Sequence, residues 1–231
     1  MANVNWERWA RATGIAFVVV AVIGFLVIGD QPKVGDSSSD IASFYTDHRS
    51  RVLTAMVIFG FAFLFLIWFV GAVANALREA GEGRLAATAL VLAAVWVALQ
   101  ASVTMMAGGL ALNIAAAGDN GGVLVALNTI TWTGDVFAAF LLAGIFAAVT
   151  IGLVRSKLLP SWYGWLGLIA TLAVILRATN WAKDGFWSPS GDFVLVAIVS
   201  GLLWTLVTSI LLVRQTPAIA TAPERAAVPS T

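Results

Sequence analysis

Asp135 and Arg177 are the residues in this chain whose type and setting can do chemistry, because each stands inside a long apolar run. A charge facing lipid there costs several kcal/mol, so each needs a partner, a ligand or water. A carboxylate and a guanidinium in such a setting can neutralise each other, hold the polar end of a ligand, or help to move a proton. Asp135 closes the stretch Asn128-Thr129-Ile130-Thr131-Trp132-Thr133-Gly134-Asp135, at the head of an apolar segment that continues to Val154. Arg177 is the only Arg or Lys deep inside another run, Trp165 to Trp181. Trp132 lies three residues before Asp135, near the same helix face, where a tryptophan can wall an apolar pocket. With Gln100, Asn128 and Asn180, these form the candidate ligand-binding set: Gln100, Asn128, Trp132, Asp135, Arg177 and Asn180.

The elements that must position them are membrane helices. The chain has 231 residues, of which 60% are apolar and 11% charged. Its mean hydropathy is +0.93. A soluble domain carries roughly 25% charged residues, so this composition is that of an integral membrane protein. A net charge of +1 with scattered basic residues gives no footprint for nucleic acid. The absence of cysteine excludes disulfides, thiolate metal sites and a cysteine nucleophile, and one histidine cannot build a histidine-rich metal site. No cofactor is implied.

Hydropathy predicts an all-α bundle of six spans over residues 1–214, at about 12–28, 52–77, 85–106, 130–154, 163–182 and 193–213, with a disordered cytoplasmic tail over 215–231. The first run follows Arg8 and Arg11 as a signal peptide would, but its length is in the spanning range and no A-x-A site follows it. Between the first two spans, Ser39 or Asp40 can cap a short interfacial helix whose face carries Ile41, Phe44, Tyr45 and His48. Asp47 and Arg51 are spaced to pair on it, and His48 reads as a surface residue rather than a proton relay. The Gly- and Ala-rich segment from Ala107 to Gly122 reads as an exit with a short re-entrant or surface piece.

Six spans put both termini on one side. That side collects Arg8, Arg11, Arg78, Arg84, Arg155, Lys157, Arg214 and Arg225 against Lys33, Arg49, Arg51 and Lys183 on the other, which predicts cytoplasmic termini in the cytoplasmic membrane. Gln100, Asn128, Asp135, Arg177 and Asn180 then fall in the outer halves of their spans, opposite cytoplasmic halves of almost pure Ala, Val, Leu, Ile and Phe. This asymmetry predicts an outward-facing polar cluster. Trp6, Trp9, Trp162, Trp165, Trp181 and Trp187 lie at the boundaries as belt anchors, whereas Trp68, Trp96, Trp132 and Trp204 fall within spans as packing.

Two functional readings lead, ahead of proton or ion coupling through Asp135 and of intramembrane catalysis, for which no second ionisable group stands beside Asp135 in the sequence. In the favoured one the charged pair fixes the register of the fourth and fifth spans in a non-catalytic structural or partner-binding protein. In the alternative the cluster binds or transports a small solute, a lipid or another amphipathic molecule. Ala139, Ala143 and Ala147 form a small-residue seam that suits internal packing or a homo-oligomer. The chain lacks H-E-x-x-H, G-x-S-x-G and the phosphate-binding G-x-x-x-x-G-K-[ST], and it shows no inverted repeat or paired broken spans.

Several phrases resemble a group of actinobacterial multi-span membrane proteins, similar to domain of unknown function 4386. They are Asp47-His48-Arg49-Ser50-Arg51, Leu66-Ile67-Trp68-Phe69-Val70-Gly71, Leu159-Pro160-Ser161-Trp162-Tyr163-Gly164-Trp165-Leu166-Gly167, Phe186-Trp187-Ser188-Pro189-Ser190-Gly191, and Trp204 with Ser209. Tyr163 departs from the aliphatic residue expected at its place. The resemblance implies a six-span fold and carries no activity with it.

Overall fold

The computed structural model describes residues 2–118 and 120–215, with side chains from Trp6 onward. The tail expected beyond Gln215 lies outside the described residues. Among the described residues the chain is all-helical: α1 (Ala2–Ile28), α2 (Ser38–Asp47), α3 (Arg49–Glu79), α4 (Gly83–Gly109), α5 (Gly121–Arg155), α6 (Trp162–Arg177) and α7 (Phe193–Gln215), with a π-helical turn at Leu110–Ile114. Five of these, α1, α3, α4, α5 and α7, are long and apolar enough to cross a membrane. The remaining long-run helix, α6, has 16 residues, about 24 Å at 1.5 Å per residue, and is shorter than the roughly 30 Å of a hydrocarbon core.

The six long helices form a ring. Each packs on its sequence neighbour, α1 on α3, α3 on α4, α4 on α5, α5 on α6 and α6 on α7, and α7 closes back on α1. Successive members run in opposite directions, so the ring has two ends. One, the mouth end, carries the α1–α2 and α6–α7 loops. The other, the floor end, carries the tight α3–α4 and α5–α6 turns. The outward faces remain apolar, with Leu26, Phe61, Leu64, Met105 and Leu195 exposed, a surface that water does not favour and lipid does. Trp6, Trp9, Trp162 and Trp165 are exposed at the floor end and Trp181 at the mouth end, as two belts require. Trp68 faces outward against Trp6, at 6.1 Å between ring centroids, rather than packing inside.

Several boundaries differ from those read in the sequence. Ala107 to Gly122 does contain the exit, but a shorter one than its composition suggests: α4 continues to Gly109, the π-helical turn runs to Ile114, and α5 begins at Gly121. The reason is tertiary. Leu110, Ala111 and Leu124 are buried against Ile41 and Tyr45 of α2 and Val52 of α3, which offsets the weak helix preference of glycine. α2 does form, but Ser37 caps it, its hydroxyl accepting from the Asp40 amide at 3.2 Å. Arg51 does not pair with Asp47; its guanidinium lies over the Phe44 ring, 5.7 Å from the centroid. α6 ends at Arg177 rather than near residue 182, because the chain turns sharply at Ala178 to Asn180 and the following loop folds back into the bundle.

The half of the bundle expected to be almost purely apolar is not. Trp204 Nε1 donates to Thr150 Oγ1 at 3.1 Å, and the Tyr163 and Thr208 hydroxyls are 2.7 Å apart, all buried. Ser209 Oγ donates to the Arg11 carbonyl at 2.6 Å and ties α7 to α1. Tyr163, the departure from the resembled pattern, therefore has a hydrogen-bond partner on α7. Gly167 is the close-approach point of α5 and α6, since a Cβ there would run into the Thr150 side chain. Gly167→Ala is expected to cost about 1–3 kcal/mol, the usual penalty of overpacking, and Thr150→Ala in the same chain should recover part of it. Melting temperatures of the single and double variants check this. A single variant that melts with the parent would remove the claim of tight contact.

Candidate functional site

A cavity of about 670 Å³ occupies the centre of the ring. All six long helices contribute to its wall. Along α5 the lining runs from Thr131 to Val149, about 27 Å of helix. Near the mouth the wall is polar, with Gln100, Thr104, Thr131, Asp135 and Arg177, and beyond them Asp30, Lys33 and Asp192 on the loops. Below Asp135 it is apolar and aromatic, through Phe63, Phe69, Trp96 and Leu142 to Phe146 and Trp204, apart from Thr205, whose hydroxyl donates to the Gly201 carbonyl at 2.9 Å. The last two rings stack at 4.2 Å near the floor, where Val149 is the last α5 residue of the lining.

The polar end is built from three helices. Arg177, at the last residue of α6, sends Nη2 to Asp135 Oδ2 on α5 at 2.8 Å. Gln100 on α4 donates to the other carboxylate oxygen, Oδ1, at 3.1 Å. Nη2 also donates to the Pro189 carbonyl at 2.8 Å, and this is what folds the α6–α7 loop inward over the pair. The two partners differ in exposure: the Arg177 side chain is 3% exposed and that of Asp135 36%. A carboxylate accepts about four hydrogen bonds. Asp135 thus retains accepting capacity on the side that borders the cavity.

The mouth is crossed by the segment joining α1 to α2. Trp132 Nε1 donates to the Pro32 carbonyl at 2.8 Å, and Asn128 Nδ2 donates to the Lys33 carbonyl at 3.1 Å. The Val34 amide donates to Ser190 Oγ at 3.0 Å, which ties the same strap to the α6–α7 loop. Trp132→Phe keeps an aromatic ring but removes the donor; it is expected to cost about 1 kcal/mol or more and to raise amide hydrogen exchange from Gly29 to Asp36 selectively. Unchanged exchange in that strap would show that the indole does not hold it.

The six residues singled out in the sequence therefore divide. Gln100, Asp135 and Arg177 come together as one hydrogen-bonded group, and Trp132 borders the cavity beside them. Asn128 is buried and spends its amide on the strap. Asn180 lies in the α6–α7 loop, fully buried, its amide 3.5 Å from the Ser188 carbonyl, and does not line the cavity. Sequence reasoning missed the Pro189 carbonyl and the loop carboxylates Asp30 and Asp192. The latter pair carried a signal, two acids just beyond span ends on the same side of the bundle.

Among the described residues no cluster of three or more His, Asp or Glu side chains is placed to hold a metal ion. Compared with protein-family models, with curated proteins and with solved structures, the chain matches none.

Proposed function

We propose that this chain is a six-span protein of the cytoplasmic membrane that holds one small amphipathic molecule in the centre of its helix ring. The head of the molecule lies beside Asp135, Gln100 and Arg177, and its apolar body lies against the aromatic wall below. The cavity carries this reading. Its 670 Å³ is within the roughly 300–1,000 Å³ of small-molecule sites, in an interior that side chains otherwise fill to crystal-like density. A purely structural bundle accounts for the charged pair as a lock between α5 and α6, but it gives no reason for open space beside that lock.

In this reading α6 crosses the bilayer as the fifth of six spans, with the inward-folded α6–α7 loop completing its depth. The excess of Arg and Lys at the floor end favours cytoplasmic termini and a mouth that opens outward. α2 then lies at the outer interface. The stacked Phe146 and Trp204 rings help to close the inner end, which favours binding over passage.

Native mass spectrometry of the protein, purified in mild detergent, tests the proposal. The parent is expected to retain an amphiphile adduct that Ala197→Trp, which fills the cavity from α7, abolishes. A parent that is folded, bare, and unshifted in melting temperature by added amphiphiles would overturn it.

A further inference from the structure

The charges at the polar end of the cavity specify the head group it accepts. Asp135 and Arg177 cancel as a pair, so the low-dielectric pocket has no net charge with which to compensate an ionic ligand. The loop charges around the mouth balance in the same way. Asp30 and Asp192 line the opening with Lys33, and the Arg51 guanidinium lies against Gly29, itself part of the lining.

The pair is electrically closed, yet its hydrogen bonding is not. Among the described residues Arg177 Nη1 has no partner, and it is buried just behind the cavity wall that its side chain helps to form, so an acceptor meets it once the guanidinium turns toward the cavity. An orphaned charged donor of this kind is costly, and an acceptor that reaches it recovers the cost. Asp135, on the other side of the same contact, has used one bond on each oxygen and keeps room for a donor. Unused donor and unused acceptor stand side by side, on two groups only 2.8 Å apart.

Resting on the binding role proposed above, we infer that the ligand is a neutral, single-chain amphiphile whose head both accepts and donates hydrogen bonds, as a primary amide or a vicinal diol does. The acceptor of the head answers Arg177 and its donor answers Asp135. The chain runs down α5 toward Phe146 and Trp204, about 21 Å from Asp135 to Val149, with no polar side chain of α5 in its path. The volume suits one chain with a small head rather than a two-chain membrane lipid.

Four probes of equal chain length separate the possibilities: ω-bromododecanamide, ω-bromododecyltrimethylammonium, ω-bromododecyl sulfonate and 1-bromododecane. Each is titrated into the parent protein in zwitterionic bilayer discs, and bromine quenching of Trp204 and Trp96 is read with and without unbrominated dodecanamide as competitor. Competable, saturable quenching by the amide, at least about tenfold tighter than by either ion or by the headless chain, is the result expected. Equal or tighter binding of an ion, or of the bromoalkane, would overturn the neutral bifunctional head while leaving the cavity as a binding site. If no probe gives competable quenching, the binding role itself fails, and the head-group inference with it.

Discussion

Asp135→Asn is expected to destabilise the bundle by about 3–5 kcal/mol, and Arg177→Gln by clearly less. The difference follows from burial. Removing the carboxylate charge leaves a guanidinium that is 3% exposed, with the Pro189 carbonyl as its other acceptor among the described residues. Removing the guanidinium leaves a carboxylate that still accepts from Gln100 and, at 36% exposed, can be hydrated from the cavity. The double variant, with two neutral groups facing each other, should recover much of the loss. Thermal unfolding of the parent, both single variants and the double variant in one detergent checks the ordering. An Arg177→Gln variant as damaged as Asp135→Asn would mean that the pair is not asymmetric in the way the geometry requires.

Trp204→Ala should cost a comparable amount, about 3–5 kcal/mol, for an unrelated reason. The indole stacks on Phe146 at 4.2 Å, donates to Thr150 at 3.1 Å and is 2% exposed, so its removal leaves a hole and takes one donor from the buried Thr150 hydroxyl. The hole joins the cavity. Amphiphiles with longer chains should therefore gain affinity relative to shorter ones in this variant, while Trp204→Phe, which restores the ring without the donor, should return the parent's chain-length preference. A melting point near that of the parent, or no change in chain-length preference, would show that the ring is not part of the floor.

How much of this was legible in the sequence depends on the kind of signal. Asp135 and Arg177 were legible because a charge within an apolar run is expensive wherever it occurs, and each therefore announces the need for the other. Gln100 followed from the same reasoning. Asn180 was misplaced because hydropathy continues through Ala178, Trp181 and Ala182 although the helix has already ended at Arg177; side-chain polarity alone does not mark the backbone turn. The floor network of Thr150, Tyr163, Trp204 and Thr208 was not legible either. Threonine in a helix can answer its own preceding turn, as Thr208 does at 2.6 Å to the Trp204 carbonyl, and so it leaves the apolar run uninterrupted.

The early start of α5 and the π-helical turn before it were hidden for the opposite reason. Glycine and alanine from Ala107 to Gly122 weaken local preference, and only burial of Leu110 and Leu124 against α2 restores the helix. The cavity has no sequence signature. Empty space at the centre of a ring belongs to no residue and arises from which helices are neighbours. It is also the feature on which the binding role rests.

Access to the polar end from water is the most direct measure of that role. The chain contains no cysteine, so single thiols can be introduced without background. Thr131→Cys, at the cavity wall one turn above Asp135, should react with a membrane-impermeant thiosulfonate applied to the outer face of intact cells, and dodecanamide should protect it. Ile151→Cys, exposed on the outer surface of α5 beyond the floor, should remain unlabelled. A Thr131→Cys chain that is inert from outside, or that reacts only from the cytoplasmic face, would contradict the placement of an open polar end at the mouth of the ring.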